Sequence, residues 1–126
     1  MKKVYFLMML LSLSAFYSAA HAAIYQLNTV SIKYMSKYVN SSNANLNSRV
    51  FVSFELLGKN WSPANGPCSS DTAVLPLTAT GETDKELYSM LLTAQLAARE
   101  VHVMVDDTQL LSGTADMCTI TYVAIN

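Results

Sequence analysis

The chain has 126 residues, of which 52% are hydrophobic and 13% are charged, and its formal net charge is −1 at pH 7. Two of the eight basic residues lie in the first 22 positions and all nine acidic residues lie beyond them, so the remainder carries a charge of −3. This balance argues against non-specific nucleic-acid binding, which needs a basic face. The roughly 104 residues of the remainder are enough for one domain.

The first 22 residues are predicted to be a cleavable signal peptide. Lys2 and Lys3 form a basic start, residues 4–13 are nearly all apolar, and residues 20–22 (AHA) fit the small-x-small rule of signal peptidase. We therefore predict cleavage before Ala23 and a secreted or periplasmic protein. A membrane anchor is disfavoured because the apolar run has about ten residues and a span needs about 20. No later segment is expected to span a membrane.

The chain has two cysteines, Cys68 and Cys118. In an oxidising compartment they are predicted to form one internal disulfide, which would close a loop of about 50 residues and contribute roughly 4 kcal/mol. Two free thiols or an intermolecular bond are the alternatives. A metal site is not expected, since the sequence has no C-x-x-C motif and His102 is the only histidine beyond the signal peptide. We expect no cofactor.

The first elements of the domain are predicted to form an antiparallel hairpin. Residues 25–39 alternate in part and indicate a half-buried strand, in which one face carries three side chains: Val30, Ile32 and Tyr34. Residues 40–48 are a polar loop, and residues 49–57 alternate again as a second strand. One face of this strand carries Val50, Val52, Phe54 and Leu56, and the other carries Phe51, Ser53 and Glu55.

A long connection and a third strand come after the hairpin. Residues 58–70 contain two glycines and two prolines, which predicts an irregular segment, and they carry the single tryptophan, Trp61. Residues 72–77 are predicted to form a short strand, with Pro76 marking its end or an edge position.

One helix is predicted over about residues 84–98. Thr83 and Glu86 have the spacing of a capping box, in which Thr83 would cap the first turn. The helix would bury one apolar stripe at helical spacing: Leu87, Met90, Leu91 and Ala94.

Residues 101–105 and 117–125 are predicted to form the last two strands, the first with its three valines facing inward. In the second, alternation places four side chains on one face: Cys118, Ile120, Tyr122 and Ala124. The element order is then β-β-β-α-β-β, in a single β-rich α+β domain over residues 23–126. This is the order of a five-stranded OB-like barrel with the helix between the third and fourth strands. A small α+β sheet with one covering helix fits almost as well.

Residues 85–94 (KELYSMLLTA) followed by residues 99–105 (REVHVMV) resemble a pattern in small secreted bacterial proteins of OB-like fold. These proteins include the B subunits of subtilase cytotoxin and of pertussis-like toxins. The resemblance covers about 40 residues, from Glu82 to the C-terminus. It implies a pentameric ring and the binding of sialylated glycans, and no binding residue of that family is carried over to this chain.

Catalytic and metal chemistry have weak sequence support. His102 would need a nucleophile or acid in reach, and its neighbour Glu100 is interpreted as a surface partner rather than a catalytic one. Asp106, Asp107 and Asp116 lack the spacing of a calcium loop, so a solvated turn is favoured. We therefore expect no enzyme and no bound metal.

The candidate ligand-binding residues are Tyr34, Tyr38 and Trp61, which lie near loops rich in Asn and Ser. Aromatic rings stack on the C–H faces of sugars, and Asn and Ser supply hydrogen bonds. In an OB barrel the loops that join strands one to two and four to five frame the ligand. The alternative is that Tyr34 and Trp61 belong to the core.

These observations favour an exported, non-enzymatic binding protein with a carbohydrate or a cell-surface ligand. Its expected partners are a glycan or an envelope or host surface protein, and it would be a homo-oligomer, pentameric if it is toxin-like. The alternative is a monomeric periplasmic accessory or structural domain that binds another protein. A small hydrolase is the third and least favoured hypothesis.

Overall fold

The computed structural model describes residues 23–37, 47–64, 66–77, 81–108 and 117–126. Five strands and one helix lie in chain order: β1 (Ile24–Lys37), β2 (Arg49–Glu55), β3 (Thr72–Pro76), α1 (Glu82–Leu96), β4 (Val101–Asp106) and β5 (Thr119–Ile125). The predicted signal peptide, Tyr38 and most of the predicted polar loop lie outside the described residues. Within these ranges, no helix has both the length and the apolar character needed to cross a membrane.

The five strands belong to one sheet. β1 pairs antiparallel with β2 and with β4, β2 pairs with β3, and β4 pairs with β5. A parallel bridge between Val74 and Thr119 joins β3 to β5, so the sheet closes as a barrel in the order β1-β2-β3-β5-β4. The predicted β-rich domain with five strands, one helix and a hairpin of the first two strands is confirmed.

The inside of the sheet is an apolar core. Its members come from every second position of β2, β3 and β4, from less regular positions of β1 and β5, and from one stripe of the helix, among them Val50, Val52, Phe54, Val101, Val103, Val105, Leu87, Leu91 and Ala94. Each fully buried side chain of Val, Leu or Phe contributes about 1.5–3 kcal/mol relative to an exposed one. The inward valines of β4 are as predicted from alternation.

β1 is interrupted by two register shifts, one between Leu27 and Val30 and one between Ile32 and Tyr34. The second shift changes which side chains face the core. Met35 packs against the core, whereas Tyr34 is 50% exposed on the other side. The prediction that Tyr34 shares the face of Val30 was therefore wrong, because alternation assumes an uninterrupted strand.

β5 departs from alternation in the same way. Ile120 and Val123 are buried and Tyr122 is 44% exposed, which breaks the predicted series in which Tyr122 shares the face of Ile120. The register between β4 and β5 shifts at Met104 and Val105, opposite this stretch.

α1 packs against β5, β1 and β3. It begins at Glu82 and ends at Leu96, two residues before each of the predicted bounds of 84 and 98. Gly81 is its N-cap and makes no side-chain capping bond. Thr83 lies inside the first turn, so the predicted capping box is wrong.

The predicted disulfide is present: Cys68 and Cys118 are bonded, with 50 residues of separation and a Cα–Cα distance of 5.6 Å. Cys68 precedes β3 by four residues, and Cys118 directly precedes β5. The bond therefore joins the entrances of the two strands that pair in parallel.

Candidate functional site

The first candidate site is the outer surface of three neighbouring strands, which we call the β1–β2–β3 outer face. Tyr34 is the register partner of Ser53, and Ser53 is the register partner of Thr72. Side chains of directly opposed residues have Cβ atoms about 4.5–5.5 Å apart on the same side of the sheet. The three side chains consequently form one row across the strands, with an aromatic ring at one end and hydroxyl groups beside it.

A carboxylate completes this row. Asp71, directly before β3, accepts a hydrogen bond from Thr72 Oγ1 at 3.1 Å, and Ser53 Oγ lies 3.5 Å from Asp71 Oδ2. The backbone carbonyl of Asp71 accepts a 2.8 Å hydrogen bond from Phe54 N, which holds the carboxylate next to β2. Ser53 is the one buried polar residue among those described, at 1% exposure, while Asp71 is exposed.

The next row of the same face is apolar. Ser36, Phe51 and Val74 are successive register partners, and Phe51 and Val74 form a small buried cluster against which Met117 packs. This cluster lies outside the barrel core, on the side of the sheet that carries Tyr34. The face thus combines a polar row with an adjoining apolar one.

Two connections leave the sheet next to this face. The connection between β1 and β2 begins after Lys37, which is one residue from Ser36. It returns to the sheet at Arg49, which is two residues from Phe51. The one between β4 and β5 returns at Thr119, the parallel partner of Val74. The stems of both connections therefore border the Phe51–Val74 row, although most residues of the connections lie outside the described ranges.

Of the predicted ligand residues, Tyr34 and Trp61 are not brought together. Tyr34 is half exposed on the β1–β2–β3 outer face, whereas Trp61 is 4% exposed and belongs to the barrel core. The Trp61 ring packs edge-on against Phe54 with a centroid distance of 6.1 Å and an interplanar angle of 84°. The expectation of exposure thus holds for Tyr34 and fails for Trp61, and Tyr38 lies outside the described residues.

A second candidate site is a surface cavity of about 280 Å³, which we call the Trp61 cleft. Six of its lining residues define it: Leu56, Asn60, Trp61, Ala64, Gly66 and Ser69. Cys68 adds one half of the disulfide to the wall. The cleft lies within the irregular segment that joins β2 to β3.

His102 is placed away from both candidate sites, on β4 against Tyr122 of β5. The ring centroids are 5.7 Å apart at an interplanar angle of 71°. His102 Nε2 is buried and has no hydrogen-bond partner among the described residues. Glu100, the predicted neighbour, is exposed before β4 begins. No described contact joins His102 to a carboxylate or a nucleophile.

The acidic residues Asp106 and Asp107 lie where β4 ends in a local turn. Asp106 Oδ1 accepts a 2.9 Å hydrogen bond from Thr108 N, and Asp107 N donates to Ala23 O at 3.1 Å. Asp116 lies outside the described residues. Within the described ranges, no group of three or more His, Cys, Asp or Glu side chains is arranged to hold a metal ion.

Sequence reasoning missed the polar row of Ser53, Asp71 and Thr72. Alternation in β2 placed Ser53 opposite the core, which was the available signal. The register that sets Ser53 between Tyr34 and Thr72 depends on the bulge in β1, which leaves no clear mark in the sequence.

Comparison of the chain with protein-family models, with curated proteins and with solved structures finds no match. The resemblance of residues 85–94 and 99–105 to toxin B subunits therefore stays a prediction. Function is inferred from the geometry of the β1–β2–β3 outer face and of the Trp61 cleft.

Proposed function

We propose that this chain is an exported, non-enzymatic binding protein of the OB type, and that its β1–β2–β3 outer face binds a carbohydrate of a cell surface. The OB assignment is supported by five strands in one closed sheet with the helix between β3 and β4. In OB barrels the face of strands two and three, together with the connections from strand one to two and from four to five, binds oligonucleotides and oligosaccharides.

The row across β1, β2 and β3 is the observation that carries this proposal: Tyr34 and Asp71 are exposed and Thr72 is half-buried, while the buried Ser53 supports the Asp71 carboxylate. A half-exposed tyrosine ring offers an apolar face to the C–H groups of a sugar. The neighbouring carboxylate accepts hydrogen bonds from sugar hydroxyls, and bonds to an ionised acceptor are about twice as strong as neutral ones. A ring beside fixed polar groups is the combination that a sugar needs.

Charge favours a carbohydrate over a nucleic acid. The chain beyond residue 22 carries −3, and the polar row itself contains the carboxylate of Asp71. A phosphate backbone would be repelled by this carboxylate, since nucleic-acid affinity depends on neutralising phosphates with Lys and Arg.

Export is supported by the internal disulfide between Cys68 and Cys118. Such bonds persist in oxidising compartments and are rare in the cytosol. Mass spectrometry of the protein recovered from the periplasm or the medium should give an N-terminus at Ala23. Recovery of the full chain in the cytoplasm would contradict this part of the proposal.

The direct test is a glycan array probed with oxidised protein of residues 23–126. We expect a restricted set of glycans to bind, and Asp71→Asn to weaken that binding because an amide accepts weaker hydrogen bonds than a carboxylate does. Glu100→Gln is a matched control, because Glu100 is exposed directly before β4, a strand that pairs with β1 and β5 and takes no part in the row of Tyr34, Ser53 and Thr72. An array without hits, or equal binding by both variants, would overturn the proposal.

The oligomeric state is a separate expectation. Light scattering of the same protein should give a multiple of the protomer mass, five-fold if the toxin-like ring forms. A monomer that still binds glycans would contradict the pentameric ring but not the proposed binding face.

A further inference from the structure

The Trp61 cleft lies in a segment that is irregular and yet firmly held. β2 is connected to β3 through residues 56–71, and the described part of this connection (56–64 and 66–71) contains no helix or strand of its own. Long connections of this kind inside a compact domain are commonly functional. A binding role requires walls that keep their shape before the ligand arrives.

Backbone and side-chain hydrogen bonds fix two parts of the segment. Ser62 and Gln26 exchange two backbone hydrogen bonds of 2.9 Å, so the segment adds a short bridge to β1. Trp61 Nε1 donates to Ser70 O at 2.8 Å, which joins the middle of the segment to its end. The tryptophan ring is thereby locked in the wall.

Close packing and the disulfide fix the remaining side. Gly66 lies directly on the ring of Tyr25, at a distance that leaves no room for a Cβ atom. Cys68 is bonded to Cys118 at the start of β5. Lys59 Nζ donates to the carbonyl of Thr29, on the neighbouring bulge of β1. The part of the wall formed by Trp61, Gly66 and Cys68 is therefore preformed.

The chemistry of the lining is uncharged and mixed. Leu56, Trp61 and Ala64 supply apolar surface, while Asn60 and Ser69 supply an amide and a hydroxyl group. Neither of these two polar side chains makes a hydrogen bond among the described residues. They are free to bind a ligand, and none of the lining residues carries a charge that would select an ionised one.

The volume limits the ligand to one small ring. Pockets for drug-sized molecules measure about 300–1,000 Å³, and this cavity of about 280 Å³ lies just below that range. An apolar wall next to a free amide suits a neutral ring that carries a methyl group together with an amide N–H and C=O.

We propose that the Trp61 cleft is a second binding site, which takes a single neutral sugar unit bearing an acetamido group. The acetamido methyl group packs on Leu56 and Ala64, and Asn60 and Ser69 hydrogen-bond its amide and a ring hydroxyl. This site is separate from the β1–β2–β3 outer face and does not require Tyr34.

Trp61 provides a local probe, because it is the only tryptophan of the chain. Titration of oxidised protein of residues 23–126 with N-acetylglucosamine should change the tryptophan fluorescence in a saturable way, with a Kd of about 1–10 mM for such a small ligand. Asn60→Ala and Ser69→Ala should each weaken binding by about 5- to 10-fold, since each removes one hydrogen bond. Glucose, which lacks the acetamido group, should bind more weakly by a similar factor.

The variant Ala64→Leu, which is designed to fill the cleft, tests whether the ligand binds there. Ala64 is exposed and lines the cleft, so we expect the larger side chain to fill the cleft without disturbing the core. We expect it to abolish the fluorescence change while the thermal unfolding curve stays that of the parent. Tyr34→Ala should leave the titration unchanged, which separates this site from the outer face. A flat titration of the parent protein, or an unaltered one in Ala64→Leu, overturns the proposal whatever the glycan array shows.

Discussion

At the scale of single residues, Trp61 stabilises the segment between β2 and β3 in two ways. Its ring packs against Phe54 in the core, and its indole N–H donates to the carbonyl of Ser70. A buried aromatic side chain with one satisfied donor both fills volume and fixes direction. The same residue therefore supports the fold and forms one wall of the cleft.

Replacing Trp61 by phenylalanine tests this dual role. Trp61→Phe should lower the free energy of unfolding by about 1–3 kcal/mol, because it leaves Ser70 O without its partner and reduces the contact with Phe54. Urea unfolding followed by circular dichroism measures the change. Leu96→Ala is the control, since Leu96 is 81% exposed and its loss should stay within about 0.5 kcal/mol. Equal effects of the two substitutions would contradict the role of Trp61.

Gly66 is the second residue whose identity the packing explains. Gly66→Ala places a Cβ atom on the ring of Tyr25, which is 6% exposed and has little freedom to move. We expect a loss of about 1–3 kcal/mol in unfolding free energy, as for other overpacked sites. In a Tyr25→Ala background the added cost of Gly66→Ala should nearly vanish, because the ring is gone. Additive losses in this double-mutant cycle would show that Tyr25 is not the cause.

At the scale of elements, periodicity predicted the existence and type of each strand and of the helix. It did not always predict which side chains point into the core and which point to the outside of the sheet. β2 and β4 are regular, so alternation placed Phe54 and Val103 in the core correctly. β1 and β5 contain register shifts, and each shift reverses the facing of the residues after it. Tyr34 and Tyr122 were therefore misplaced, since a bulge is set by the pairing of two strands rather than by one of them.

The start of α1 shows a second limit of sequence reasoning. Thr83 and Glu86 match a capping box, yet the helix begins before them, with Gly81 as its N-cap. The acidic residues Glu82 and Asp84 interact favourably with the positive end of the helix dipole whether the helix begins at residue 82 or at residue 84. A local motif could not decide between two starts that differ by two residues.

Thr83→Ala distinguishes the two starts experimentally. Inside the first turn, an exposed threonine contributes little, so the unfolding free energy should change by less than about 0.5 kcal/mol. A capping threonine would instead cost about 1 kcal/mol when replaced by alanine. Gly81→Asp is the complementary variant and should stabilise by roughly a few tenths of a kcal/mol, because it adds the missing cap. If Thr83→Ala lowers the unfolding free energy by about 1 kcal/mol, Thr83 caps the helix after all and the helix starts at the later position.

At the scale of the whole molecule, the disulfide joins two parts of the barrel that share one parallel bridge. Among the described residues, β3 and β5 pair only at Val74 and Thr119. At this bridge Val74 N donates a hydrogen bond of 2.9 Å to the carbonyl of Cys118. The covalent link at Cys68 and Cys118 lies directly beside this bridge. The disulfide therefore adds a covalent link to the barrel where the described hydrogen bonding between its strands is sparse.

Removal of the disulfide should cost about 2–5 kcal/mol of unfolding free energy in a domain of this size. The variant Cys68→Ala/Cys118→Ala and the reduced parent should both unfold at lower urea concentration than the oxidised parent. Adding reductant to the double variant should not change its unfolding free energy, which controls for effects of the reductant other than cleavage of this disulfide. A reduced parent as stable as the oxidised one would contradict the structural role of the bond.

The most direct test of the central claim is the affinity of two tyrosine variants for a glycan that binds in the array. Tyr34 and Tyr122 have similar exposure, 50% and 44%, but only Tyr34 lies on the β1–β2–β3 outer face. Calorimetric titration should show a loss of about tenfold or more for Tyr34→Ala, equivalent to about 1.4 kcal/mol, and parental affinity for Tyr122→Ala. Parental affinity in Tyr34→Ala, or an equal loss in both variants, would contradict carbohydrate binding at this face.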